Sequence, residues 1–391
     1  MCSKTKDRIL GLFMGQLIGD ALGTRYEFLK IHEVKEKIID DIVFCQMKPG
    51  PTKVESECLF KKTPIAISSR NCLKIENTFS ILGPIRDESV YTNKYKKFLK
   101  ILGGGPFYLS AGNFTDDSEL ALGIWYSMLT KNKYDITNIS NVFYEWFNSK
   151  PFDIGRATIN AFENGNTYAK MKNNATVSNK FSLSNGCLMK ISPVGIVGLL
   201  GYDNNVKKCA KEVCELTNPH PICIDICVTY VVAIEEAIIT GDPIKAYLKA
   251  KHTATHDLTK ELLNDALHKN SHVKKMKNMD NEKEGYEYIT TDRAYMGYIG
   301  IAFQNAFYQL LHKEPNKNGF YDCLVDTIML GGDTDTNACI AGALYGACFG
   351  ISKLPKDWLE TVYKSHNERI KVYKPNDHNF VYNLLRKKIN L

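Results

Sequence analysis

The sequence has no run approaching the roughly 18 consecutive apolar residues that a membrane-crossing helix needs, so no membrane span is expected. Its opening residues, Met1-Cys2-Ser3-Lys4-Thr5-Lys6, carry no apolar secretory core; the expectation is an intracellular, cytoplasmic protein in a reducing setting. Paired Cys-x2-Cys spacing is missing too. Cys209, Cys214, Cys223 and Cys227, with His220 among them, read as buried free thiols rather than a zinc site or a disulfide frame. His252 and His256 stand four apart but lack the glutamate of a zincin motif, and read as a solvated helix face. Gly103-Gly104-Gly105 is followed by no Lys-Ser/Thr pair and opens no helix, which favours a turn over a nucleotide cradle. Lys and Arg total 50 against 43 Asp and Glu, yet they are scattered and form no stripe, so no nucleic-acid partner is expected.

What is present belongs to an ordinary globular chain. Apolar residues make up 44% of the 391 positions and charged ones 24%, enough to fill a core and too apolar for global disorder. Leu10, Phe13, Met14, Leu17, Ile18 and Ala21 recur on one helical face, predicting a first helix that begins after Ser3. Gly11, Gly15, Gly19 and Gly23 fall four apart within it. Glycine weakens a helix interior, so this spacing predicts a second backbone packed closely near Asp20. Gly342, Gly346 and Gly350 repeat the pattern in a late helix predicted over 336–349.

Other helices are expected from 115–118 onward and over 138–148, 156–163, 224–240, 258–268 and 298–311. Prolines and glycines break the periodicity between Ile39 and Ser110. The expected fold is therefore all-α: a single compact orthogonal multi-helix domain over 1–391, with a long irregular insertion near 40–110 and an exposed loop at 274–285.

Two short segments concentrate hard oxygen donors at helix starts: Thr115-Asp116-Asp117-Ser118 and Asp333-Thr334-Asp335-Thr336. Either one alone would be read as helix capping, because Asp, Ser and Thr satisfy free N–H groups there. Together they carry more carboxylates than capping needs, and like charges held close require a neutralising cation. If the two converge, a two-metal site accounts for them.

The order of segments is itself informative. Gly19-Asp20-Ala21-Leu22-Gly23 with Glu27-Phe28, then Thr115-Asp116-Asp117-Ser118, then Asp153-Ile154-Gly155, then Ser184-Asn185-Gly186-Cys187-Leu188-Met189-Lys190 with Pro193, then Gly331 to Thr336, resembles the ADP-ribosylglycohydrolase family. That family includes the dinitrogenase-reductase-activating glycohydrolases and the ADP-ribosylarginine hydrolases.

The resemblance implies two Mg²⁺ or Mn²⁺ ions held by Thr115, Asp116, Asp117, Asp333, Asp335 and Thr336. It implies Glu27, Asp153 and Asp117 as catalytic carboxylates, and a substrate site that includes Ser184, Asn185, Gly186, Cys187, Gly331 and Gly332. The expected reaction is removal of ADP-ribose from a modified protein side chain by a monomer, with arginine linkage favoured and serine linkage open. The alternatives are a catalytically silent ADP-ribose-binding or crystallin-like relative and a two-metal phosphoesterase. Three departures stand out: Asn218 where the family often has His, Arg156 where it often has Asn, and a long separation between Asp20 and Asp116.

Overall fold

The computed structural model describes residues 1–47, 95–268 and 295–391. The interior of the expected insertion and the 274–285 loop lie outside the described residues. In chain order the helices are α1 Ser3–Gly23, α2 Ile31–Met47, α3 Asp116–Lys131, α4 Ile136–Asn148, α5 Arg156–Phe162, α6 Tyr168–Ser178, α7 Val206–Glu215 and α8 Pro221–Thr240. They continue with α9 Pro243–Thr253, α10 Asp257–Leu267, α11 Ile299–His312, α12 Lys317–Ile328, α13 Thr334–Phe349, α14 Lys356–Lys364 and α15 His378–Lys388. Among the described residues β structure is limited to isolated bridges, so the all-α expectation holds. No helix among them is long and apolar enough to cross a membrane.

The chain divides into two units, residues 1–31 with 101–391, and 32–100. In the smaller unit, helix continues to Met47, past Ile39 where the sequence periodicity was expected to fail. Val34, Ile38 and Ile42 explain it: they recur every four residues and are fully buried.

The larger unit is organised on α13, whose residues from Thr334 to Cys348 are all buried. Helices α1, α3, α8, α11 and α12 all pack against it. The crossing of α1 with α13 uses the glycines predicted from the sequence. A Cβ on Gly15 would sit 2.2 Å from the Gly342 carbonyl oxygen, and one on Gly19 would sit 2.1 Å from that of Ala338. The two backbones therefore touch, and they run antiparallel, which carries the end of α1 to the start of α13. Tyr230 on α8 donates to the Ile340 carbonyl at 2.8 Å, tying a third helix to the same axis.

Two local expectations need correction or completion. His252 and His256 do not share a helix face: α9 ends at Thr253, and His256 caps α10 by accepting the Leu258 N–H at its Nδ1. Backbone satisfaction at a new helix start outweighs the four-residue spacing. Helices α6, α7, α9, α12, α14 and α15 were not foreseen: each has only 9 to 12 residues, a short window for periodicity even where, as in α7, Val206, Cys209, Ala210, Val213 and Cys214 share one buried face. The Gly103–Gly105 segment is a turn, closed by reciprocal backbone hydrogen bonds between Gly104 and Leu109 at 2.7 and 2.9 Å.

Candidate active site

Both acidic segments form the first turns of helices, yet neither behaves as a cap. Thr115 and Asp333 occupy the N-cap positions of α3 and α13, and neither makes a side-chain capping hydrogen bond of good geometry. Asp20, at the end of α1, takes that role for α3. Its Oδ1 accepts from the Thr115 N–H at 3.0 Å, and its Oδ2 accepts from the Ser118 N–H at 3.0 Å. With their helix N–H groups served by Asp20, the carboxylates of α3 are left to face inward.

The two segments meet. Thr336 Oγ1 donates to Asp117 Oδ2 at 3.2 Å, and Thr115 Oγ1 lies 3.1 Å from Asp117 Oδ2 and 3.5 Å from Asp335 Oδ2. Glu27, Asp153 and Asp335 offer carboxylate oxygens within 4.8 Å of one another. These groups open onto a cavity of about 460 Å³, within the usual range for a small-molecule site. Glu27, Asp116, Asp117, Asp153, Asp333 and Asp335 all line it, as does Thr336.

The electrostatics of this arrangement are strained without a cation. Burial, followed by repulsion from Asp153, Asp333, Asp117 and Asp116, pushes the Glu27 carboxyl up to about 11. Burial and neighbouring carboxylates hold Asp116, Asp117 and Asp335 well above the usual carboxylate range. Asp153 rises to about 7, from burial and then Asp333 and Asp20. Glu27 Oε2 and Asp117 Oδ1 are buried with no hydrogen-bond partner. Glu119, two residues beyond Asp117, is the opposite case: its carboxylate receives Trp146 Nε1 at 2.6 Å, Arg369 Nε at 2.7 Å and Asn376 Nδ2 at 2.6 Å. One turn of helix thus holds a paired structural acid beside unpaired acids aimed at a cavity. Hard oxygen donors with unmet charge suit divalent Mg²⁺ or Mn²⁺.

The pocket's far wall is the segment 182–189. Ser184, Asn185 and Gly186 line it, and Asn185 Nδ2 donates to Asp333 Oδ2 at 2.7 Å, joining this wall to the acidic side. A Cβ on Gly186 would meet only Thr158 Oγ1, at 3.9 Å, so the turn leaves room for a ligand.

Of the expected substrate-site residues, Cys187, Gly331 and Gly332 are not part of the lining. Cys187 is fully buried behind the turn. Gly332 instead secures Glu27 from behind: its carbonyl accepts the Phe28 N–H at 2.7 Å and its N–H donates to the Leu29 carbonyl at 2.9 Å. Gly331 and Gly332 both take positive φ, 68° and 73°, which this turn demands.

Several residues at the pocket escaped the sequence reading. Thr158, Asn160 and Asn179 line it, and Thr158 Oγ1 is another buried atom without a partner. Asn218 supports it from behind: its Nδ2 lies 3.0 Å from Ser184 Oγ and 3.3 Å from the Ser184 carbonyl. No motif spacing announces these residues; only their depth in the fold does. Among the described residues, Arg156 is the one basic side chain in the pocket lining.

Comparison with known proteins agrees with this architecture. The ADP-ribosylglycohydrolase family pattern matches residues 1–378. A protein of Acanthamoeba polyphaga mimivirus bearing the ADP-ribosyl glycohydrolase name is 28% identical over 277 residues, 67% of this chain and 78% of that protein. The ADP-ribosyl-dinitrogen reductase glycohydrolase of Rhodospirillum rubrum is 22% identical over 353 residues, covering 90% of this chain and 89% of the relative. Among solved structures, an ADP-ribosylglycohydrolase-related protein complex superposes with a TM-score of 0.60 at 17% identity, over 98% of this chain and 100% of that one.

Proposed function

We propose, from the premise that this chain belongs to the ADP-ribosylglycohydrolase family, that it is a divalent-metal-dependent hydrolase that releases ADP-ribose from modified protein side chains, with arginine the favoured linkage. The observation that carries this reading is the convergence of six carboxylates, Glu27, Asp116, Asp117, Asp153, Asp333 and Asp335, on one cavity, with Asp117 Oδ1 and Glu27 Oε2 left unpartnered. Thr115, Asp116, Asp117, Asp333, Asp335 and Thr336 are the residues we assign to hold two Mg²⁺ or Mn²⁺ ions. Such ions supply Lewis-acid polarisation and a lowered pKa for water.

The chain's own groups divide the remaining work. Asn185 fixes the Asp333 carboxylate, so that side of the pocket keeps one orientation. Glu27 is the carboxyl we assign to donate a proton to the departing nitrogen, because it lines the pocket and its Oε2 has no competing partner. Asp153, nearer neutrality in its proton affinity, suits a role on the ribose hydroxyls beside the reacting carbon. Arg156 and the Ser184–Gly186 turn offer a cation and open space where the anionic diphosphate of ADP-ribose can lie. The preference for arginine rests on the Gly19–Gly23 segment and the nearby Glu27-Phe28 pair, which resemble the arginine-specific branch.

The test is a panel of arginine- and serine-linked ADP-ribosylated substrates, assayed with Mg²⁺, with Mn²⁺ and with a chelator. Intact ADP-ribose released from the arginine substrate, and lost with Asp116→Asn, is the expected result. Metal-dependent binding of ADP-ribose without turnover on any substrate would replace this reading with a silent relative, and a product cut at the pyrophosphate would replace it with a phosphoesterase.

A further inference from the structure

Behind the pocket wall lies a second cluster that the hydrolase reading leaves unused. The sulfurs of Cys187, Cys214 and Cys227 lie within 4.8 Å of one another, and all three side chains are fully buried. They come from three separate elements: the turn at 185–187, the last turn of α7 and the middle of α8. Cys223, one helical turn before Cys227, hydrogen-bonds with Cys187, and its Sγ also contacts the Ser182 carbonyl at 3.4 Å. The sequence grouping of Cys209, Cys214, Cys223, Cys227 and His220 is thereby revised. Cys209 and His220 drop out, the latter capping α8 by accepting the Ile222 N–H, while Cys187 arrives from elsewhere in the chain.

Buried thiols are ordinarily small hydrophobes, and Cys209, Cys323, Cys339 and Cys348 are buried outside this cluster. Lys190 argues against that account for the nest. Its side chain is fully buried, and its Nζ donates to the Gly186 carbonyl and, at 3.0 Å, to Thr217 Oγ1. Burial is the largest influence on this amine and pushes its proton affinity below the ordinary lysine range, while Cys187, Cys214 and Cys227, ahead of Asp116, act the other way. A buried ammonium is costly, and negative charge on the adjoining sulfurs would offset that cost. Burial opposes ionisation of Cys187, but the neighbouring Cys214, Cys223 and Cys227 and the nearby Lys190 outweigh it and hold the thiol well below its ordinary range, while the Cys214 and Cys223 thiols donate to the Asn218 and Ser182 carbonyls at 3.3 and 3.4 Å.

We propose that Cys187, Cys214 and Cys227 bind one thiophilic d¹⁰ cation, as a three-sulfur site for Cu⁺ or, with Cys223 as fourth ligand, a closed tetrahedral site for Zn²⁺. Metal–sulfur bonds of about 2.3 Å set ligand sulfurs about 4 Å apart, so the sulfurs of Cys187, Cys214 and Cys227 need only draw together by less than about 1 Å, while Cys223, outside that group, must move further to serve as a fourth ligand. Each ligating thiol gives up its proton and no electron moves. Three thiolates on Cu⁺, or four on Zn²⁺, carry the same net charge, and the Lys190 ammonium offsets one unit of it. The ion would fasten the 182–190 segment to α7 and α8, holding in place the wall whose other face is Ser184, Asn185 and Gly186. This inference does not depend on the reaction assigned to the pocket.

The test uses the intact, reduced chain with Cd²⁺ as probe, in excess Mg²⁺ so that the oxygen-lined pocket is occupied. Cd²⁺ bound to thiolate absorbs in the ultraviolet, whereas Cd²⁺ bound to oxygen does not. We expect one equivalent to produce the thiolate band, during titration of the folded chain or on refolding with Cd²⁺ present. Cys214→Ser should weaken that binding at least about 100-fold, while Cys209→Ser should leave it unchanged. Native mass spectrometry after Zn²⁺ or Cu⁺ competition identifies which ion the site retains. No band under either protocol, or a band undiminished in both Cys214→Ser and Cys227→Ser, overturns the proposal.

Discussion

The acidic pocket and the thiol nest lie on opposite sides of the same segment, 182–190, and they handle buried charge in different ways. In the pocket, six carboxylates face open space and raise one another's proton affinity. In the nest, Cys187 has a lowered proton affinity, its three sulfur neighbours have raised ones, and the buried amine of Lys190 lies beside them. The first arrangement calls for small, hard cations and solvent access; the second is closed and suits a soft ion. The difference teaches that proximity of ionisable groups does not define a site. What distinguishes a site is which charges the protein itself has already compensated, as the fully paired Glu119 beside the unpaired Asp117 shows within one helix.

Experiments that act on one side only can break this comparison. The largest effect is expected from Asp335→Asn, which removes a carboxylate from the pocket without touching the nest. Release of ADP-ribose should fall by well over the roughly 100-fold seen when groups one layer out from a metal are changed, with Cd²⁺–thiolate absorption retained. Near-normal turnover would sever the pocket from the proposed chemistry.

Gly19→Ala comes next. The new methyl would sit 2.1 Å from the Ala338 carbonyl oxygen, so α1 and α13 must part. We expect a loss of about 3 kcal/mol or more in denaturant unfolding, together with loss of activity, because the start of α13 carries Asp333 and Asp335. A stability within experimental error of the parent would show that the helix crossing is more yielding than its geometry indicates.

A pH series sharpens the comparison further. Asp20 is pushed up to about 6 and Asp153 to about 7, mainly by burial, against about 3.9 for an unfolded aspartate. The folded, metal-stripped chain therefore binds more protons than the unfolded chain through this window. Its stability is present at low pH and declines as pH rises from about 4 through about 7, and further toward about 11 through Glu27; the Asp20 contribution is on the order of 3 kcal/mol. Thermal unfolding should accordingly show Mg²⁺ or Mn²⁺ stabilising the protein strongly at pH 8 and weakly at pH 5. Equal stabilisation at both would mean that the pocket's carboxylates are not what the ion neutralises.

The smallest effect should come from Asn185→Ala, which removes the hydrogen bond joining the two sides. Losing a hydrogen bond to a charged group is worth about 1.5–3 kcal/mol, so activity should drop by roughly 10- to 100-fold, with the thiol site intact. Loss of the Cd²⁺ band as well would show that the two regions depend on a shared loop conformation.

Much of this was legible in the chain. Four-residue glycine spacing in two distant segments announced a close helix crossing, because a carbonyl oxygen can approach that near only where no Cβ intervenes. Two runs of acidic and hydroxyl residues, in order among other matching segments, announced the pocket. The cysteines expected as buried free thiols are buried and free, but their convergence with Cys187 was not legible, since Cys187 lies 27 residues from Cys214 with no periodic relation to it. Thr158 gave no signal at all, and Asn218 and Lys190 appeared only as members of matched segments, with nothing to show what they touch.

Sequence alone thus determined the residue types, the helix faces and the family, because periodicity and motif order are written along the chain. Tertiary structure decided which acids were caps, which were paired and which were left facing a cavity. It also decided that the thiols converge beside a buried lysine. Those outcomes depend on burial and on partners contributed by segments far apart in the chain, as when Asp20 takes over the capping of α3 and frees Asp116 and Asp117 for the pocket.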